Sequence, residues 1–124
     1  MAKKLYIQGL DIDIPIGQST ATADFTLSEL YEFYGVQIFL ENPTLNDELD
    51  FKILAPIPPD YTTYVEVNDY SNNTKLTSKV HYIEIKAEEK DDPAELPAGL
   101  KMRVIYTAVD NLGRNAKIWF RLKK

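Results

Sequence analysis

Apolar and polar residues alternate one for one along most of this chain. In LDIDIPI, Leu10, Ile12 and Ile14 fall on one side and Asp11 and Asp13 on the other. GVQIFLEN sets Val36, Ile38 and Leu40 against Gln37, Phe39 and Glu41, and DELDFKIL sets Leu49, Phe51 and Ile53 against Asp50 and Lys52. KVHYIEIKAE alternates His81, Ile83, Ile85 and Ala87 with Tyr82, Glu84 and Lys86. The last third repeats the pattern through Leu100, Met102, Val104, Tyr106 and Ala108, then Ala116, Ile118, Phe120 and Leu122. A period of two puts successive side chains on opposite faces, so each run predicts a β-strand with one buried face.

Turn residues separate the runs at Asn42-Pro43, Pro56 to Asp60, Ser71 to Asn73, Asp91 to Pro93 and Asn111 to Gly113. Short strands at near-regular spacing predict one all-β domain over residues 1–124. Its expected form is an antiparallel immunoglobulin-like or jelly-roll-like β-sandwich of about eight strands. FTLSELYEFYG departs from the pattern, with Leu27, Leu30, Tyr31 and Tyr34 at helical spacing and Thr26 with Glu29 as a capping box. Gly35 limits any helix there to a turn; the favoured alternative is a strand through Phe25 and Leu27 that bends near Ser28-Glu29. DYSNNTK and EEKDDPAE read as mobile loops.

The closing segment LPAGLKMRVIYTAVDNLGRNAKIWFRL predicts a strand, a turn at Asp110 to Gly113, and a returning strand. It resembles the final hairpin of immunoglobulin-like sandwiches, although Tyr106 sits mid-strand and not at their corner position. A last strand at a sheet margin would leave backbone groups for pairing with a neighbour.

Charge and composition narrow the functions. Nineteen acidic residues against fourteen basic ones give a net charge of -5, the wrong sign for coating phosphate backbones. Lys3, Lys4, Arg121, Lys123 and Lys124 cluster at the two ends and read as solvated tails, so nucleic acid is not the expected partner. The absence of Cys removes disulfides and thiolate chemistry and leans toward folding in a reducing cytoplasm. Asp11 and Asp13 interrupt any export signal near the start, and no apolar run reaches the roughly 18 residues that cross a membrane.

Candidate chemistry is sparse. His81, the single His, shares a strand face with Ile83 and Ile85 and reads as structural; Ser78, three residues away, would face the opposite side. Asp91, Asp92 and Glu95 offer oxygen ligands for Ca²⁺ without the spacing of a dedicated loop, so no cofactor or metal is expected. Solvent-facing carboxylates give no sign of a glycosidase cleft, and no phosphate-binding or nucleophile motif occurs. The chain does not read as an enzyme. Tyr61, Tyr64 and Tyr70 near IPPDY, together with Trp119 on the outward phase of the last strand, are the candidate partner-binding residues. The alternative is that these rings cover the sandwich. As stacking platforms the same Tyr residues would suit a carbohydrate- or receptor-binding module.

Two blocks carry a narrower resemblance. GVQIFLENPTLNDELDFKIL, with Gly35, Ile38, Glu41, Asn42, Asp47, Asp50 and Phe51, and LPAGLKMRVIY, with Leu96 to Leu100, Arg103 and Tyr106, are similar to segments of small accessory proteins of tailed-phage virions. The resemblance implies a structural part of a virion at head, neck or tail. Such a part would be made in the host cytoplasm, bind copies of itself or other virion proteins, and need neither membrane nor cofactor. The N-terminal third has no counterpart in those segments.

Overall fold

The computed structural model describes residues 5–27, 31–66, 72–86, 94–96 and 99–123, and among them every regular element is a strand. β1 (Leu5–Ile14), β3 (Tyr31–Glu41), β7 (Tyr82–Lys86), β8 (Ala94–Leu96) and β10 (Arg114–Lys123) form one sheet. The order is β1-β10-β3-β7, with β8 also pairing β3. β2 (Thr20–Thr26), β4 (Glu48–Ile57), β5 (Thr63–Glu66), β6 (Asn72–Lys75) and β9 (Lys101–Thr107) form the other. Its order is β2-β9-β4-β5, with β6 also pairing β4. Ten strands therefore fill eight sheet positions, because β7 with β8, and β5 with β6, each share one margin.

The pairings are nested: β1 with β10, β2 with β9, β3 with β7 and β8, β4 with β5 and β6, all antiparallel. This is a two-stranded ribbon rolled on itself, the jelly-roll arrangement of a β-sandwich. Backbone hydrogen bonds keep the ribbon joined where it passes from one sheet to the other. Gly17 N donates to Asn111 O and Ala108 N to Ser19 O at one crossing, Leu27 N to Leu100 O and Gly99 N to Leu27 O at the next. Asn46 N to Leu76 O and Leu76 N to Asp47 O join a third.

The alternation places the core as expected. Ile12 and Ile14, Val36, Ile38 and Leu40, Leu49, Phe51 and Ile53, Met102, Val104 and Tyr106, and Ala116, Ile118, Phe120 and Leu122 are all buried. Phe120 of the first sheet meets Phe51 and Phe25 of the second, stacked at 5.4 Å and edge-on at 4.8 Å. Burying a Phe or Leu side chain contributes about 1.5–3 kcal/mol, so the facing apolar stripes are what hold the sheets together. The strand reading of FTLSELYEFYG is observed through Thr26, and Tyr31 to Gly35 open β3; Ser28 to Leu30 lie outside the described residues.

Three expectations are corrected. β9 and β10 lie in opposite sheets, so the closing segment is an arch between sheets and not a hairpin, and the immunoglobulin-like resemblance of that segment does not hold. Asn-x-Gly chemistry encodes a chain reversal but not its plane. Both strands bury one face on the same core, and their edges are taken by β2 and β4 and by β1 and β3. For the same reason β10 is interior, and the sheet margin is β1. Finally, Asn72–Lys75 of DYSNNTK is β6, and Ala94–Leu96, overlapping EEKDDPAE, is β8. Turn-prone residues are recruited there by pairing with β4 and β3, since strand preference depends on partners more than on intrinsic propensity.

Candidate functional site

The arches β1–β2, β3–β4 and β9–β10 meet at one end of the sandwich, above a buried polar cluster. Asp47 stands one residue before β4, in phase with Leu49, Phe51 and Ile53. Arg114 opens β10, in phase with Ala116, Ile118 and Phe120. Strand phase therefore turns both charges inward, and both are buried. Arg114 Nε donates to Asp47 Oδ2 at 2.9 Å, and Tyr106 OH, from β9, donates to the same oxygen at 2.9 Å. Val109 N donates to Asp47 Oδ1 and Thr44 N to Oδ2, each at 3.0 Å. Arg114 completes its set with Thr44 Oγ1 and Gly113 O, both at 2.8 Å, and with Asp110 Oδ1 at 2.9 Å.

Burial pushes the Asp47 carboxyl up, but the donors from Arg114, Val109, Thr44 and Tyr106 outweigh it and hold it below the usual carboxylate range. Burial raises Tyr106, and the Asp47 carboxylate raises it further, so the phenol stays protonated as a donor. Hydrogen bonds to Asp110 and Asp47 raise Arg114. The cluster is a fixed, ionised clamp with its polar groups satisfied. It ties the β3–β4 and β9–β10 loops together.

What the clamp holds up is apolar. Ile16 on the β1–β2 arch is 83% exposed, Leu112 and Val109 on the β9–β10 arch 72% and 52%, and Leu45 on the β3–β4 arch 45%. Ile16 and Leu112 border one groove with Asp13, Glu41 and Asn42. These apolar residues stand exposed among polar ones, on loops that are tied together from beneath. His81 lies beside it, exposed, with Nδ1 3.4 Å from Leu40 O; Ser78 is exposed on the β6–β7 connection.

The candidate residues chosen from sequence fall elsewhere. Tyr61 is exposed in the β4–β5 turn, at the opposite end of β4 from Asp47, with a φ of 58°. Tyr64 on β5 is half-buried, with Lys101 Nζ 4.2 Å from its ring centroid. Tyr70, Asp91 and Asp92 lie outside the described residues, as does the Glu95 side chain. Trp119 is half-buried on the outer face of the first sheet, opposite Gly9 and Gln37. It shares that face with the exposed cross-strand pair Phe39 and Tyr82. The Arg121–Glu84 ion pair lies on that face too, at 3.3 Å. On the outer face of the second sheet the ion pairs are more numerous among the described residues. Asp24 pairs with Arg103, and Lys52 with Asp50 and Glu66. Asp47, Arg114 and the arch apolar residues were not among the sequence-derived candidates. No helix among the described residues is long and apolar enough to cross a membrane.

No protein-family model and no curated protein sequence matches the chain. Among solved structures it is similar to the Yersinia pseudotuberculosis-derived mitogen, at 8% identity and a TM-score of 0.49 over 94% of this chain and 86% of that one. It is also similar to the VP2 subviral particle of infectious bursal disease virus, at 13% identity and a TM-score of 0.41. The Gt strain of that virus gives 14% and 0.42. The chain covers 98% of itself but 32% of each viral chain, so it spans about a third of their length. Each likeness is one of strand arrangement.

Proposed function

We propose that this chain is a structural protein of a virion, acting by protein–protein assembly. Its nearest functional class is the accessory proteins of tailed phages, as head decoration, neck or tail part. The observation that carries the reading is the apolar arch end, in which Val109 and Leu112 are exposed on a loop held by a buried ion pair, and Ile16 on the neighbouring loop that Gly17 N joins to it through Asn111 O. Rigid exposed apolar residues cost little entropy on docking, so modest contacts repeated by symmetry give stable assembly. The two sequence blocks similar to tailed-phage accessory proteins supply Asp47 and Tyr106, which meet at 2.9 Å beneath those loops. The acidic rim of Asp13 and Glu41 favours a virion partner with an apolar depression and basic surroundings. A carbohydrate- or receptor-binding module is less well supported. Its Tyr64 platform is capped on one side by Lys101, and Trp119 belongs to the other sheet.

The test is mass spectrometry and antibody-gold labelling of purified virions from the same source, with wild-type chain and with the Ile16→Asp, Leu112→Asp double variant. The expected result is incorporation of the wild type and at least tenfold less of a variant that melts normally. A chain absent from particles, or a variant incorporated equally, sinks the reading.

A further inference from the structure

The single Trp of the chain stands opposite the one glycine of β1. Gly9 and Trp119 are register partners, and a Cβ at Gly9 would lie 4.0 Å from Trp119 Cδ1. An aromatic ring beside a cross-strand glycine shields bare backbone, which is reason enough for a Trp in a strand. It does not account for the cleft alongside. Gly9 to Asp11 and Lys117 to Trp119 line a space of about 300 Å³ on the outer face of the first sheet. That is the lower end of the size of ligand sites, with room for one ring and none for a helix.

The chemistry of the cleft is divided between apolar and polar walls. One wall is the half-buried Trp119 indole, which makes no hydrogen bond or ring contact among the described residues. The other is Asp11 with Lys117, both exposed, one row along the strands. The two are register partners of opposite charge, yet among the described residues neither side chain forms an ion pair or hydrogen bond. The floor is backbone. Gly9 O there accepts from Gln8 Nε2 at 3.1 Å, so recognition falls to the side chains.

An apolar ring beside one acceptor and one donor matches a pyranose. The C–H face of the sugar packs on an indole as apolar surface on apolar surface. Its hydroxyls both donate and accept, so neighbouring ones satisfy a carboxylate and an ammonium together. A nucleotide would bring phosphate toward Asp11 and Asp13, both exposed on this face, and like charges repel.

We propose that the cleft between Gly9 and Trp119 is a saccharide subsite, holding one neutral pyranose against the indole with its hydroxyls on Asp11 and Lys117. This goes beyond assembly and does not depend on it, because the cleft and the exposed arch residues are separate. Tyr64, on the second sheet, takes no part.

Trp119 is the only Trp, so its fluorescence reports on the cleft directly. The probes are the methyl pyranosides of glucose, galactose, mannose and N-acetylglucosamine, titrated into the full chain. At least one is expected to shift the emission saturably, with a Kd on the order of 1 mM for one ring in a shallow site. Gly9→Val fills the cleft and keeps the reporter, and Asp11→Ala removes the acceptor. Each should weaken binding about tenfold, with circular dichroism and melting preserved. If the indole only shields Gly9, no probe shifts the emission up to about 50 mM, and the inference falls. It falls too if Gly9→Val binds as well as the wild type. An emission that moves with protein concentration and with no sugar would assign the cleft to a second copy and overturn it. None of these readouts needs a particle, so this proposal and the assembly function fail separately.

Discussion

Arg114 and Asp47 show how a charge can sit in a sandwich core at tolerable cost. Removing an ion from water costs several kcal/mol, and only good geometry with further hydrogen bonds offsets it. Here the two carboxylate oxygens of Asp47 accept from Arg114, Tyr106, Val109 and Thr44. The partners are not equivalent, because Arg114 also holds Asp110 at 2.9 Å, a second group of opposite charge. Arg114→Met leaves Asp47 buried without its counter-ion and should cost about 3–5 kcal/mol. Asp47→Leu leaves Arg114 with Asp110 and should cost less. The double variant should cost less than the sum of the two, as apolar replacement of a buried pair often does. Urea unfolding of the four proteins checks this, and additive losses would contradict the pairing.

At the scale of elements, the arches matter more than the strands they connect. Gly113 has a φ of +93°, and a Cβ added there would lie 3.3 Å from Ile16 Cγ1 and 3.5 Å from Ile14 O. Gly113→Ala therefore combines backbone strain of about 1–3 kcal/mol with pressure on Ile16. It should lower the melting temperature and speed hydrogen exchange at Leu112 and Val109, while exchange along β3 stays slow. Uniform acceleration would mean that the arch is no separate unit. Strand positions and facing were legible in the alternation, down to Trp119 on the outward phase. The buried pair was legible too, since Asp47 and Arg114 occupy inward-phase positions with opposite charge. Neither charge announces the other, because the two stand 67 positions apart beside turns, where charged side chains ordinarily face solvent. Pairing order was not legible: nothing local distinguishes an arch at Asn111 to Gly113 from a hairpin, and β6 and β8 exist only through their partners.

For the whole molecule, the second sheet presents an ion-paired outer face, the first sets Trp119, Phe39 and Tyr82 beside the Arg121–Glu84 ion pair, and one end carries the apolar arches. The clamp beneath that end joins both sheets, because Asp47 leads into β4, Tyr106 lies on β9 and Arg114 begins β10. Its titration should therefore appear as global unfolding. Asp47 is held below its unfolded value, which is about 3.9. A group depressed on folding binds fewer protons in the folded state. Its contribution is fully present above the unfolded value and disappears as pH falls through the folded one. Arg114 and Tyr106 are both raised and stay protonated throughout. Asp110 is also depressed, by hydrogen bonds from Arg114 and from Leu112 N, but it lies at the surface and contributes little. The urea midpoint should hold level from about pH 8 to 5 as far as this cluster is concerned, then fall below about pH 4. In the Asp47→Leu, Arg114→Met variant that fall should be shallower, because the clamp carboxylate is gone. An identical acid slope in both proteins would assign the loss to the surface carboxylates and leave the clamp without a role in acid unfolding.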